Sequence, residues 1–227
     1  MDPDRRVTPL QGAAQAHQMS STPTAHADIV ERELSTLLHG IGAVRFGDFT
    51  LKDGRRSPFY LDLRVLVSHP AALARVARAM LQRAADLRYD RLAGLPYAGL
   101  PIAVAMSLIS ERPMIYARKE TKAYGTQRLV EGEFTAGERV LMIDDVVTSG
   151  GAKLDALEPF RAAGLMVEDV LVVVNRDDRA ADALHAAGLH LHSVLNVRRL
   201  LGHLHAHGAV DGADVDRALD FLGVPRR

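Results

Sequence analysis

The sequence predicts an α/β fold in which a central parallel sheet is flanked by helices on both faces. Three observations lead there. The strands Arg139–Ile143 and Asp169–Val174 read as near-continuous apolar runs rather than as alternating ones, the mark of strands buried on both sides. They alternate with helical stretches that close on glycines, Gly164 and Gly188, a common helix stop. The residues with chemistry in them follow the carboxyl ends of strands, where open α/β sheets bind ligands.

Element by element, residues 1–27 read as a flexible tail: Pro3, Pro9 and Pro23 punctuate it and no apolar period develops. Met19 opens a segment that would itself serve as a start. From Asp28 a helix is expected, with Ile29, Leu34, Leu37 and Leu38 near helical spacing and Gly40 and Gly42 ending it. Val44–Leu51 reads as a strand, Lys52–Arg55 as a turn, and Ser57–Val67 as extended again. Pro70 starts a helix whose apolar stripe runs through Leu73, Val76, Ala77, Met80, Leu81, Ala84 and Leu87. A strand at Arg91–Leu95, an apolar helix at Gly99–Ile109 and a strand at Pro113–Ala117 follow. Beyond the polar segment Arg118–Glu133, the pattern predicts a strand at 139–143 and a helix at Gly150–Ala163. A strand at 169–174, a helix at Arg179–Ala187 and a strand at Leu189–Val194 come next, then helices at Asn196–His205 and Asp214–Leu222.

Composition excludes several functions. The 227 residues carry 28 Lys+Arg against 28 Asp+Glu, a formal charge of zero, whereas proteins that coat nucleic acid carry a basic excess. No nucleic-acid or membrane partner is expected, since no apolar run approaches a membrane span. With 48% hydrophobic residues the chain can build a core. It has no cysteine, which rules out disulfides and thiolate metal sites and fits a cytoplasmic location. His203, His205 and His207, with His190 and His192, lack a carboxylate that would complete a metal site.

The segment Val140–Ala152, VLMIDDVVTSGGA, carries the most chemistry. It is a buried strand, two adjacent carboxylates, a short hydroxyl and glycine loop, then a helix. Thr148, Ser149, Gly150 and Gly151 can aim hydroxyls and backbone N–H groups at a phosphate, with a helix N-terminus behind them. Asp144 and Asp145 would repel that phosphate unless they face a hydrogen-bond donor, and a ribose diol is such a donor.

This segment resembles the 5-phosphoribosyl 1-diphosphate (PRPP) signature of the type I phosphoribosyltransferases across positions 140–152. Four further stretches are similar to orotate phosphoribosyltransferases. Phe46–Arg64 resembles their N-terminal hood and Gly94–Ala103 their diphosphate-loop segment. Arg118–Gly132 resembles their mobile catalytic loop, and Val174–Arg176 their pyrimidine-contacting strand end. The resemblance implies the type I fold with a small hood at roughly 28–68, a PRPP-binding core at roughly 69–205, and one domain over 28–227. No decarboxylase domain is expected after residue 227.

It implies transfer of the phosphoribosyl group from PRPP to orotate, giving orotidine 5′-monophosphate and diphosphate in pyrimidine biosynthesis, with Mg²⁺ carried by PRPP rather than by a protein site. PRPP would be held by Lys52, Tyr97, Ala98, Arg118, Lys119, Lys122, Tyr124 and the run Asp144, Asp145, Val146, Val147, Thr148, Ser149, Gly150, Gly151 and Ala152. Orotate would meet Lys52, Tyr60, Leu61, Thr148 and Arg176. Lys122, Asp144 and Asp145 would carry catalysis. Loop 118–128 sets four cations, Arg118, Lys119, Lys122 and Arg128, against Glu120, a net +3 suited to a diphosphate leaving group. A homodimer is implied, with loop 118–132 serving the neighbouring subunit's site. The chain departs from the family pattern at Ala98, Ala123, Tyr124 and Asn175. The alternatives are a PRPP-binding regulator on the same fold, or a transferase for another base.

Overall fold

The computed structural model describes residues 25–51, 54–118, 129–148 and 151–223, with the side chains of 25, 26 and 152 excepted. Its centre is a six-stranded sheet in the order β5-β4-β3-β6-β7-β8. The strands are β3 (Arg91–Gly94), β4 (Met114–Ala117), β5 (Val130–Glu131), β6 (Arg139–Val147), β7 (Met166–Asn175) and β8 (His190–Asn196). Every pairing is parallel except the short edge pair of β4 with β5.

The continuous apolar strands follow from two covered faces. In β6, Leu141 and Ile143 join one core, while Val140 and Met142 join the other. The first core lies under α1 (Ala25–Gly40), α2 (Pro70–Arg83), α3 (Gly99–Ser110), α6 (Val197–Ala206) and α7 (Gly212–Phe221). The second lies under α4 (Gly151–Ala162) and α5 (Arg179–Ala186). On α2 the fully buried Val76, Ala77 and Met80 are the centre of the apolar stripe, each large one contributing about 1.5–3 kcal/mol by burial.

The hood is an antiparallel hairpin of β1 (Val44–Thr50) and β2 (Arg56–Leu61). Its sequence expectation needs one correction. The stretch expected to stay extended to Val67 ends at Leu61, and Leu63–Ser68 winds into a 3-10 helix capped by the Asp62 side chain, which accepts from the Arg64 N–H. An aspartate in that position offers the backbone a turn in competition with the ladder. At the other end of the chain, α7 packs on β2, so the C-terminal helix closes the hood.

Three other boundaries shift. Helix α1 begins at Ala25, so Asp28 lies in its first turn instead of capping it. Strand β6 runs on to Val147, because Val146 and Val147 pair with Val174 and Asn175 of β7. The polar segment before β6 contains β5, whose Val130 and Glu131 pair with Ala117 and Tyr116. No helix among the described residues is long and apolar enough to cross a membrane.

Candidate active site

The acid pair stands at the carboxyl end of β6, inside the strand rather than in the loop after it. Asp144 pairs with Val172 of β7 and points under the N-terminus of α3. That approach depends on two glycines. A Cβ on Gly99 would lie 2.4 Å from the Ile143 carbonyl oxygen and 3.1 Å from Asp144 Oδ1, and one on Gly94 would lie 2.9 Å from the Leu100 Cα. With both positions bare, the positive end of α3 settles against the carboxylate.

Asp144 is 6% exposed. Its Oδ1 accepts the Asp145 N–H at 2.8 Å, and its Oδ2 accepts from Lys153 Nζ, which also donates to the Val146 carbonyl at 3.0 Å. Burial pushes the Asp144 carboxyl up to about 7; the Lys153 charge works against this and Asp145 adds to it. The two acids differ in burial: Asp145 is half-buried, while Asp144 is buried and held by Lys153. Lys153 is a site residue that the sequence reading misses. A signal for it exists: Lys153, Leu157 and Phe160 share a helix face at steps of four and three, and the two apolar members are fully buried.

One strand further, Arg176 leaves the end of β7. Its N–H donates to the Val147 carbonyl at 3.0 Å, which ties it to the end of β6. The guanidinium lies 4.9 Å from the centroid of the Phe59 ring in β2 and 5.7 Å from that of Phe221 in α7. Phe59 and Phe221 meet edge to face at 6.3 Å. Such contacts orient a cation through the face of the ring. Asn175 is buried and its Oδ1 accepts the Asp177 N–H, so at this departure from the family pattern a neutral amide shapes the strand end.

The remaining expected residues fall into two groups. Val146 and Val147 continue β6 and Thr148 is exposed just beyond it, with the backbone of Gly151 and Ala152 opening α4. Tyr97, 70% exposed, and Ala98 form the turn between β3 and α3, next to Gly99. In the hood, Tyr60 stacks on Phe49 at 5.5 Å with Arg45 over its face, and Leu61 packs against the core. The Arg118 N–H donates to the Leu129 carbonyl, and the Arg118 side chain reaches Glu131 at 3.4 Å. Lys52, Lys119, Lys122, Tyr124, Ser149 and Gly150 lie outside the described residues. Among the described residues no group of three His, Cys, Asp or Glu is placed to hold a metal ion.

A parallel sheet with an acid pair at the end of a central strand, followed by a hydroxyl loop and a helix N-terminus, defines the type I phosphoribosyltransferase class. No family model matches the chain. An orotate phosphoribosyltransferase of Cenarchaeum symbiosum is 42% identical over 190 residues, covering 82% of this chain and 94% of that protein. The chain belongs to the orotate phosphoribosyltransferase family. Solved structures agree. UMP synthase of Leishmania donovani aligns with a TM-score of 0.79 at 40% identity, over 85% of this chain and 42% of that one. Mycobacterium tuberculosis orotate phosphoribosyltransferase in complex with PRPP aligns with a TM-score of 0.63 at 34% identity, over 75% of this chain and 98% of that one. Against UMP synthases, the bovine protein included, this chain spans 42% of the length.

Proposed function

We propose that this chain transfers the 5-phosphoribosyl group of PRPP to orotate, giving orotidine 5′-monophosphate and diphosphate. The observation that carries the reading is the end of β6: two carboxylates, a hydroxyl loop and the start of α4 succeed one another, with Arg176 tied to the same strand end. The PRPP complex of the Mycobacterium tuberculosis relative supports it.

In this reading Asp145 and Asp144 accept hydrogen bonds from the ribose hydroxyls. The loop from Thr148 to the first turn of α4 receives the 5′-phosphate, where backbone N–H groups and the helix dipole favour an anion. Arg176 offers its planar fork to the orotate ring, oriented by Phe59 and Phe221. Arg118, Lys119 and Lys122 serve the diphosphate. A ring nitrogen of orotate bonds to C1′, giving up its proton to water or the departing diphosphate, as the bond from C1′ to the diphosphate oxygen breaks and its electron pair leaves with the diphosphate. Charge then grows on the leaving group, and cations aimed there favour the transition state over the ground state. Mg²⁺ would arrive on PRPP, held by its phosphate and ribose oxygens, and would neutralise diphosphate charge. A cytoplasmic location goes with this reading.

A homodimer with loop 118–132 acting on the neighbouring site is part of the proposal. Val104 and Leu108, one turn apart on α3, give it support: Leu108 is 78% exposed, and Tyr116 on β4 is also exposed. Apolar residues grouped on a surface mark association sites more often than singly scattered ones do.

The deciding experiment follows orotate absorbance with PRPP and Mg²⁺ present. Loss of orotate with matching formation of the nucleotide is expected; turnover of a purine base but not of orotate would reject the substrate. A sharper measurement concerns the aromatic seat of Arg176. Phe221→Ala removes one of its two rings, an interaction of about 0.5–2 kcal/mol. The KM for orotate should rise roughly two- to thirtyfold, with the KM for PRPP within about twofold of wild type. Equal rises for both substrates would mean that α7 supports the fold alone.

A further inference from the structure

Lys153 is a buried cation that the reaction above does not use. It stands in the first turn of α4, 8% exposed, and the face it shares with Leu157 and Phe160 turns into the core between α4 and the sheet. Lysine is almost never buried without a partner. Taking an ammonium and a carboxylate out of water together is offset only when both are well satisfied. Here Nζ donates to Asp144 Oδ2 and to the Val146 carbonyl, bridging the two residues on either side of Asp145.

Among the described residues nothing else packed on Asp144 could take its place. Helix α3 has no ionisable side chain and arrives with Gly99. β7 presents Val172, and β3 presents Gly94 beside Ile143. Among the described residues the charged groups that act most strongly on this carboxylate are Lys153 and Asp145, with opposite effect.

On the reading of the site given above, we propose that Lys153 is a positioning residue for PRPP, holding the Asp144 carboxylate ionised and in place from beneath so that the acid pair meets the ribose hydroxyls as acceptors. A protonated Asp144 would present a donor where an acceptor is needed, and an unheld one would turn away from Asp145. Lys153 thereby acts through Asp144 and touches neither substrate.

The sign of the pH effect follows. The acceptor form of Asp144 appears as pH rises through its pKa, which burial already raises. Without the Lys153 charge that point moves higher still. In Lys153→Met, which keeps the length of the chain and loses the charge, PRPP binding should be weak at neutral pH and recover in alkali. A lysine of purely structural importance would weaken binding equally at every pH.

The test measures PRPP binding by calorimetry and steady-state rates from about pH 6 to 9, around the ionisation of Asp144, for wild type, Lys153→Met, Asp144→Asn and the double variant. Lys153→Met is expected to raise the KM for PRPP at least about tenfold at neutral pH, with the acid limb of kcat/KM displaced upward by about a pH unit or more and the KM for orotate unchanged. In the Asp144→Asn background the second substitution should weaken PRPP no further, and should raise thermal stability by removing a buried unpaired ammonium. A KM for PRPP within about twofold of wild type at neutral pH, or a loss independent of pH, overturns the proposal. So does a double variant that binds PRPP more weakly than Asp144→Asn alone, because Lys153 would then reach PRPP itself. The comparison of Asp144→Asn with the double variant decides the matter even when Lys153→Met alone does not fold. Wild type that fails to bind PRPP would overturn the reading of the site together with this inference, whereas wild type that binds PRPP while Lys153→Met binds it equally well overturns the inference alone.

Discussion

Lys122→Ala is expected to lower kcat about 10²–10³-fold, the usual loss when one group serving a developing anion is removed. PRPP affinity should change far less. The reason is differential binding: the diphosphate is already charged in bound PRPP, and gains further charge on its bridging oxygen only as the bond to C1′ breaks. A cation placed for that oxygen lowers the barrier, while Arg118, Lys119 and the 5′-phosphate loop retain the ground-state contacts. The family resemblance of Arg118–Gly132 assigns this task to Lys122. Steady-state rates with calorimetry of PRPP separate the two effects. A kcat within about threefold of wild type would remove Lys122 from the chemistry. The same variant reports on assembly: mixed with Asp145→Asn, it should regain activity if the loop serves the neighbouring subunit, because mixed dimers then contain one intact site.

Gly99→Ala is expected to damage both stability and PRPP binding. Its Cβ would lie 2.4 Å from the Ile143 carbonyl oxygen and 3.0 Å from the Asp144 Cα. Both are backbone atoms of a central strand, so neither can rotate aside, and α3 must retreat from β6. Overpacking of this kind costs about 1–3 kcal/mol and occasionally more, which lowers Tm by roughly 2–4 °C for each kcal/mol in a chain of this length. The helix N-terminus that faces Asp144 retreats with it, so weaker PRPP binding should accompany the fall in Tm. Gly202→Ala provides the comparison. It lies within α6 and its Cβ would meet nothing within 4 Å; alanine there should be neutral or stabilise by up to about 1 kcal/mol. A Gly99→Ala protein as stable and as active as the Gly202→Ala protein would show that the close approach of α3 to β6 is dispensable.

Much of the fold and of the site is legible in the order of residues alone. The runs VLMI in β6 and LVVV in β7 announce strands covered on both sides, because strand burial is written in consecutive residues. The acid pair, hydroxyl loop and following helix are also contiguous, so their joint chemistry can be read from one segment of chain. The end of the strand that starts at Ser57 is misplaced for a local reason: the Asp62 side chain caps a 3-10 turn, and composition does not distinguish that from a continuing strand.

What the sequence determined by itself is thus the parallel α/β architecture, the family, and the succession of acid pair, hydroxyl and glycine loop and helix, all features carried by neighbouring residues. Tertiary structure decided how that segment is held. It extended β6 through the acid pair, because β7 supplies ladder partners as far as Val147. It set Lys153 against Asp144, nine residues away, and made the two acids unequal in burial. It placed Phe221 of the last helix beside Arg176 at the end of β7. Each is a contact between separate elements, and a residue's type does not reveal whether packing will bury it, or against which partner. For Lys153 that decision matters most, since the same ammonium is an ordinary surface charge in water and the counter-ion of a buried carboxylate when packed against the end of β6.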